Sequence, residues 1–136
     1  MILVDTSVWI DYFNGIDNAC CDALDIALDD GIVAIGDLIL LEILQGFISD
    51  ADYRKAKTAL LVLDQYVLFA RGMAVTCADN YRVLRKKGIT IRKTADVIIA
   101  TFCIENRLPL LFSDKDFIPF VKHLGLIPVL AESSFG

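Results

Sequence analysis

Four carboxylates in this 136-residue sequence stand where the surrounding pattern is otherwise apolar. Asp5 ends the run Ile2-Leu3-Val4, and Asp114 follows Leu110-Leu111-Phe112. Glu42 interrupts Leu38-Ile39-Leu40-Leu41 and Ile43-Leu44, and Asp96 precedes Val97-Ile98-Ile99-Ala100. An isolated carboxylate is costly to bury, so each must meet a cation or reach water in a cleft. Singly, three of them have a structural explanation. Asp5 and Asp114 can cap the helices that follow their strands, and Asp96 can complement a helix N-terminus. Glu42 lies mid-helix and has no such explanation. If all four converge, caps do not account for them, whereas a hard cation with oxygen ligands does, Mg²⁺ or Mn²⁺.

The elements that must position these acids follow from periodicity. Short apolar runs at Ile2 to Val4, Ile32 to Ile35, Tyr66 to Phe69, Leu110 to Phe112 and Ile127 to Leu130 predict strands. Helical patterns fill the intervals: Ser7 to Asn14, Asn18 to Asp30, Asp37 to Ile48, Asp50 to Asp64, Met73 to Lys87, Thr94 to Asn106 and Asp116 to Leu124. This alternation predicts an α/β fold with a mainly parallel central sheet of about five strands, flanked by helices on both faces. Asp5 and Asp114 then fall at strand ends, where open α/β sheets form their binding crevice. In the second helix, Asp17 is expected as N-cap and Gly31 as stop. Its Asp22, Asp25 and Asp29 form a solvated face, with Cys21, Leu24 and Leu28 turned inward. Without a Pro/Gly/Ser-rich linker or internal repeat, a single domain over 1–136 is expected.

Composition narrows the function. With 56% apolar residues and a mean hydropathy of +0.58, the chain is not disordered. Cys20, Cys21, Cys77 and Cys103 show no CxxC spacing, and His123 is the lone histidine, which excludes the usual zinc ligand sets. Asp37 and Glu42 break the apolar stretches well short of the ~20 residues of a membrane span. No basic residue precedes the first apolar run, as a signal peptide requires. A soluble, cytoplasmic protein is expected, with no membrane association. Gly72 and Gly88 do not make a phosphate loop, so no nucleotide cofactor is expected. The net charge of -5 conceals an asymmetry: residues 1–53 carry eleven acids and no Lys or Arg. Arg82, Arg85, Lys86, Lys87, Arg92 and Lys93 fall within twelve residues without an intervening acid, a candidate phosphate-binding surface.

The run Ile2-Leu3-Val4-Asp5-Thr6-Ser7-Val8-Trp9-Ile10-Asp11, Glu42 in its Leu-rich helix, Thr94-Ala95-Asp96-Val97-Ile98-Ile99-Ala100 and Leu111-Phe112-Ser113-Asp114-Lys115-Asp116-Phe117 together resemble a PIN domain, in order along the chain. The length and minimal architecture resemble the VapC-type ribonuclease toxin of a VapBC toxin-antitoxin pair. The resemblance implies a Mg²⁺- or Mn²⁺-dependent endoribonuclease of a type II toxin-antitoxin system, hydrolysing RNA by a metal-activated water. Its catalytic and metal-binding acids would be Asp5, Glu42, Asp96 and Asp114. Asp116 is a further candidate, as ligand or as cap of the last helix. Thr6 and Ser113 are candidates for holding a water or phosphate oxygen, and equally for capping. Arg85, Lys86, Lys87, Arg92 and Lys93 are the RNA-binding candidates. A cognate antitoxin and a homodimer are implied as partners; Trp9, Tyr12, Phe13 and Phe47 are either core or a groove for the partner's helix. Two other readings stay open: a metal-dependent phosphatase, although Ser7 stands where its aspartate motif has a second acid, and an inactive PIN scaffold that binds RNA or protein.

Overall fold

In the computed structural model, which describes residues 1–131, the apolar runs become strands because helices cover them on both sides. The last five positions of the expected 1–136 domain lie outside the described residues. Every residue of β1 (Ile2–Val4), β2 (Val33–Gly36) and β4 (Leu110–Leu111) is buried, the signature of parallel strands within a layered core. β3 (Asp64–Tyr66) forms the more exposed edge. Among the described residues the sheet has four strands in the order β3-β2-β1-β4, all pairs parallel, with Leu3 opposite both Ala34 and Leu110.

Seven helices accompany the strands among the described residues: α1 (Thr6–Phe13), α2 (Ala19–Asp29), α3 (Asp37–Gln45), α4 (Asp50–Leu60), α5 (Met73–Lys86), α6 (Thr94–Glu105) and α7 (Ile118–Leu124). A single 3-10 turn, Lys115–Phe117, leads into α7. Helix α2 is capped by Asn18, whose side chain accepts from the Cys21 N–H at 2.8 Å, rather than by the expected Asp17. Its acids Asp22, Asp25 and Asp29 do face solvent, while Cys21 and Leu24 are buried. Helix α6 runs through the core with Val97, Ile99, Ala100, Thr101 and Cys103 buried. The Thr101 hydroxyl is matched there by Asn80 Nδ2 at 3.1 Å.

Two expected strands differ. The third lies at Asp64–Tyr66 instead of Tyr66 to Phe69, because Leu68 has another partner. Its N–H donates to the Asp37 carboxylate at 3.0 Å, and its side chain fills the space that a Cβ at Gly36 would occupy. A fifth strand at 127–130 does not form. That segment makes one parallel bridge, Leu110 with Pro128, through Leu110 N to Ile127 O at 2.9 Å and Val129 N to Leu110 O at 3.0 Å. β4 is only two residues long and offers a single residue on that edge, and proline, lacking an N–H, is confined to such edges.

Candidate active site

Between β1 and β4 the strand order reverses: the chain passes from β1 to β2 on one side and returns as β4 on the other. Their carboxyl ends open a crevice at this switch point, and both strand-end acids lie there. Asp5 is 5% exposed and holds the N-cap of α1. Its Oδ2 accepts from Ser7 Oγ at 2.7 Å and, more weakly, from Ser7 N at 3.4 Å. Burial pushes its carboxyl up, the Ser7 hydrogen bond opposes that, and the Glu42 charge adds to the rise. Ser7 Oγ also lies 3.3 Å from Ser113 Oγ, so one hydroxyl joins the ends of both strands.

Asp114 caps the 3-10 turn, its Oδ1 accepting from Asp116 N at 2.9 Å. The same turn brings the Asp116 side chain round. Asp96, Asp114 and Asp116 each offer a carboxylate oxygen, all within 4.8 Å of one another. Asp96 comes from the first turn of α6, is 6% exposed, and its Oδ2 has no hydrogen-bond partner among the described residues. Desolvation first, then the charges of Asp5 and Asp114, push its carboxyl up to about 7, with Lys93 opposing. Arg92 Nη2 sits 3.1 Å from Asp116 Oδ2, the single ion pair among the described residues.

Glu42 reaches the crevice from α3 and is held by Thr6, whose Oγ1 donates to Oε1 at 2.8 Å. Thr6 therefore spends its hydroxyl on a catalytic candidate, not on a cap. The structure thus gathers Asp96, Asp114 and Asp116 most tightly, sets Asp5 within their electrostatic reach, and places Glu42 beside Asp5. Ser7 is the residue that sequence reasoning did not assign. Its signal was available, since a hydroxyl two residues beyond a strand-end acid can turn back to it in the first helical turn.

The basic run is divided. Arg92 and Lys93 border the acids, Arg82 and Arg85 line a separate recess with Thr94, and Lys86 and Lys87 are exposed at the end of α5. Trp9 is buried and stacks on Phe13 at 5.9 Å, with Tyr12 and Phe47 packed edge-on around Phe13. Phe13 and Phe47, with Ile10 and Ile43, also line a small surface recess of about 150 Å³ between α1 and α3, so the aromatic group is core and groove wall at once.

Three carboxylates crowd one another, Asp116 is paired with Arg92, and the buried Asp96 oxygen without a donor among the described residues can be relieved by a proton or by a bound cation. All the ligand atoms are oxygens, which suits a hard divalent cation. Among the described residues no helix is long and apolar enough to cross a membrane.

Residues 2–120 match the family model of the PIN domain. The VapC ribonuclease Mb1587 of Mycobacterium bovis and Ribonuclease VapC11 of Mycobacterium tuberculosis are each 27% identical over 124 residues, covering 86% of this chain and 89% of the relative. Solved structures share the fold. VapBC2 from Rickettsia felis, bound to a DNA fragment from its promoter, aligns with a TM-score of 0.74 at 19% identity over 94% of this chain and 97% of that one. A toxin-antitoxin complex from Klebsiella pneumoniae aligns at 0.69 and 19% identity, over 93% and 96%.

Proposed function

The chain belongs to the PIN domain family, and we propose that it is a divalent-metal-dependent endoribonuclease acting as the toxin of a type II toxin-antitoxin pair. The observation that carries this reading is the Asp96, Asp114 and Asp116 cluster, with its buried, donorless Asp96 oxygen. These three would hold the cation, Mg²⁺ or Mn²⁺, with Asp5 completing the negative field around them. Such a cation, when bound, offsets phosphate charge and brings water into range as a nucleophile near neutral pH.

The chain's own residues supply the rest. Ser7 fixes Asp5 Oδ2, and through Ser113 it ties the β1 end to the β4 end, so the acids keep their spacing. Thr6 fixes Glu42 Oε1, leaving Oε2 to accept a proton from the attacking water. Arg92 and Lys93 border the cluster and are suited to phosphate oxygens of the RNA backbone.

The names of the relatives support a cognate antitoxin as partner. Without a cation the acidic crevice attracts an Arg or Lys side chain, and the recess beside Phe13 and Phe47 is sized for one apolar side chain. A homodimer is part of the reading. The groove of about 300 Å³ lined by Asp37, Leu38, Leu41, Phe69 and Ile98 exposes Leu41 at 56% and Phe69 at 53%, apolar surface that self-association would cover. A single domain over 1–136 and a cytoplasmic location complete it.

End-labelled RNA incubated with the purified chain tests the proposal. Cleavage should need Mg²⁺ or Mn²⁺, stop in chelator, and stop when the product of the adjacent gene is added. RNA retained without cutting in either ion would refute the nuclease, and release of phosphate from a monoester without RNA cleavage would point to a phosphatase.

A further inference from the structure

Between α5 and α6 lies a recess of about 470 Å³, lined among others by Phe69, Tyr81, Arg82, Arg85 and Thr94. Its size falls in the range of about 300–1,000 Å³ typical of sites for small organic groups. Phe69 is 53% exposed, and Tyr81 is half-buried with the Arg85 guanidinium 5.6 Å from its ring centre. No acid lines the recess, and neither arginine has a carboxylate partner among the described residues. Thr94 belongs to the first turn of α6, the turn that carries Asp96, so recess and acidic cluster flank one helix end.

From this geometry we infer that the recess is a subsite for one unstacked base of single-stranded RNA, beside the phosphodiester presented to the acids. The inference rests on the reading that RNA is the substrate. A planar base needs aromatic or guanidinium planes to stack on, and Tyr81 with Arg85 presents both. Arg82 and Arg85 then neutralise the phosphates on either side of the base. A duplex keeps its bases stacked inside, so the subsite selects single strands and loops. Phe69 and Ile98 also edge the groove assigned above to self-association, but Tyr81, Arg82 and Arg85 do not line that groove, which makes them the residues to test.

The test uses a short fluorescent single-stranded RNA in chelator, with one abasic nucleotide moved along it and affinity read by anisotropy. At one position the abasic RNA should bind the wild-type chain about tenfold more weakly. Tyr81→Leu should weaken the intact RNA about as much and make that abasic position silent, and Tyr81→Phe should restore both. If Tyr81→Leu does not fold, Arg82→Gln with Arg85→Gln, both on exposed residues, should lower the salt slope of binding by about 0.7 per arginine. An abasic penalty unchanged by Tyr81→Leu, or a salt slope unchanged in the arginine variants, overturns the subsite. So does a fall from two-chain to one-chain mass in Tyr81→Leu, which would make the recess a contact with a second copy. Cleavage of the parent RNA in Mg²⁺ is measured alongside. Cleavage without the abasic signature refutes the subsite alone, and the signature without cleavage supports the subsite and refutes the nuclease.

Discussion

Two acids in the first turns of two helices, Asp37 of α3 and Asp96 of α6, have opposite surroundings. Asp37 is exposed, and its Oδ1 accepts two backbone N–H groups, from Leu38 at 2.8 Å and Leu68 at 3.0 Å. It braces the segment after β3 against the start of α3. Asp96 is buried, has an oxygen with no donor, and is crowded by other carboxylates. The position within the helix is nearly the same, so the helix N-terminus explains neither difference. One carboxylate completes the fold, and the other keeps an oxygen open to a proton or a cation.

The largest effects should separate these two acids. Asp96→Asn removes a charge while keeping the shape, so RNA cleavage should fall by about a thousandfold or more. Above neutral pH and without metal, its thermal midpoint should hold or rise, because mutual repulsion is relieved. Asp37→Ala should do the reverse: a loss of about 1–2 kcal/mol of stability in denaturant titration, with cleavage per folded molecule unchanged. Equal losses of activity in the two variants would break the distinction.

The pH dependence sharpens it. Asp96 is pushed from its ordinary 3.8 up to about 7 by burial and by Asp5 and Asp114. Between those values the folded chain keeps a proton that the unfolded chain has released, so this group makes stability fall as pH rises through the window. The thermal midpoint of the metal-free wild type, relative to Asp96→Asn, should therefore decline up to about pH 7 and level off above it. A cation needs the deprotonated form, so its apparent affinity should climb about tenfold per pH unit below that point and then flatten. Calorimetric titration of Mg²⁺ at several pH values measures this, and a flat profile would remove Asp96 from the ligand set.

The sequence made one half of this comparison more legible than the other. Asp5, Glu42, Asp96 and Asp114 are visible because each contradicts its immediate neighbours, a local signal. Asp116 joins the cluster only through the 3-10 turn at Lys115–Phe117, and Ser7 meets Ser113 only because β1 and β4 are adjacent. The first is the geometry of a short turn that residue types alone do not fix, and the second is not local at all. The third strand falls elsewhere for a non-local reason too: the apolar run at 66–69 is genuine, but Leu68 is claimed by an acid 31 positions earlier. The basic run at 82–93 read as one surface, whereas the turn between α5 and α6 sends Arg92 and Lys93 to the acids and Arg82 and Arg85 to the recess.

A smaller effect probes the structural side. At Gly36 an added Cβ would collide with the Leu68 side chain, which packs wholly buried over the end of β2. Gly36→Ala forces that leucine or the strand to move, and overpacking of this kind costs about 1–3 kcal/mol. The loss should appear as a lower denaturant midpoint, with chelator-sensitive cleavage retained by the folded fraction. A variant that keeps its stability and loses cleavage would show that this end of β2 feeds the active site through α3 and Glu42.

The smallest expected effect falls where the two kinds of role meet. Arg92 is 76% exposed on its side chain and pairs with Asp116 at 3.1 Å. An ion pair so open to solvent contributes about 0–1 kcal/mol, so Arg92→Gln should shift the thermal midpoint little. A guanidinium has five N–H donors, and the contact to Asp116 leaves others for a phosphate. If Arg92 touches the RNA backbone while bracing Asp116, the variant should lower the salt slope of single-strand binding by about 0.7. It should weaken all sequences alike, since a phosphate contact carries no base information. An unchanged slope together with weaker Mg²⁺ binding would confine Arg92 to holding Asp116 in place, and the phosphate contacts would then fall to Lys93 and to the arginines of the recess.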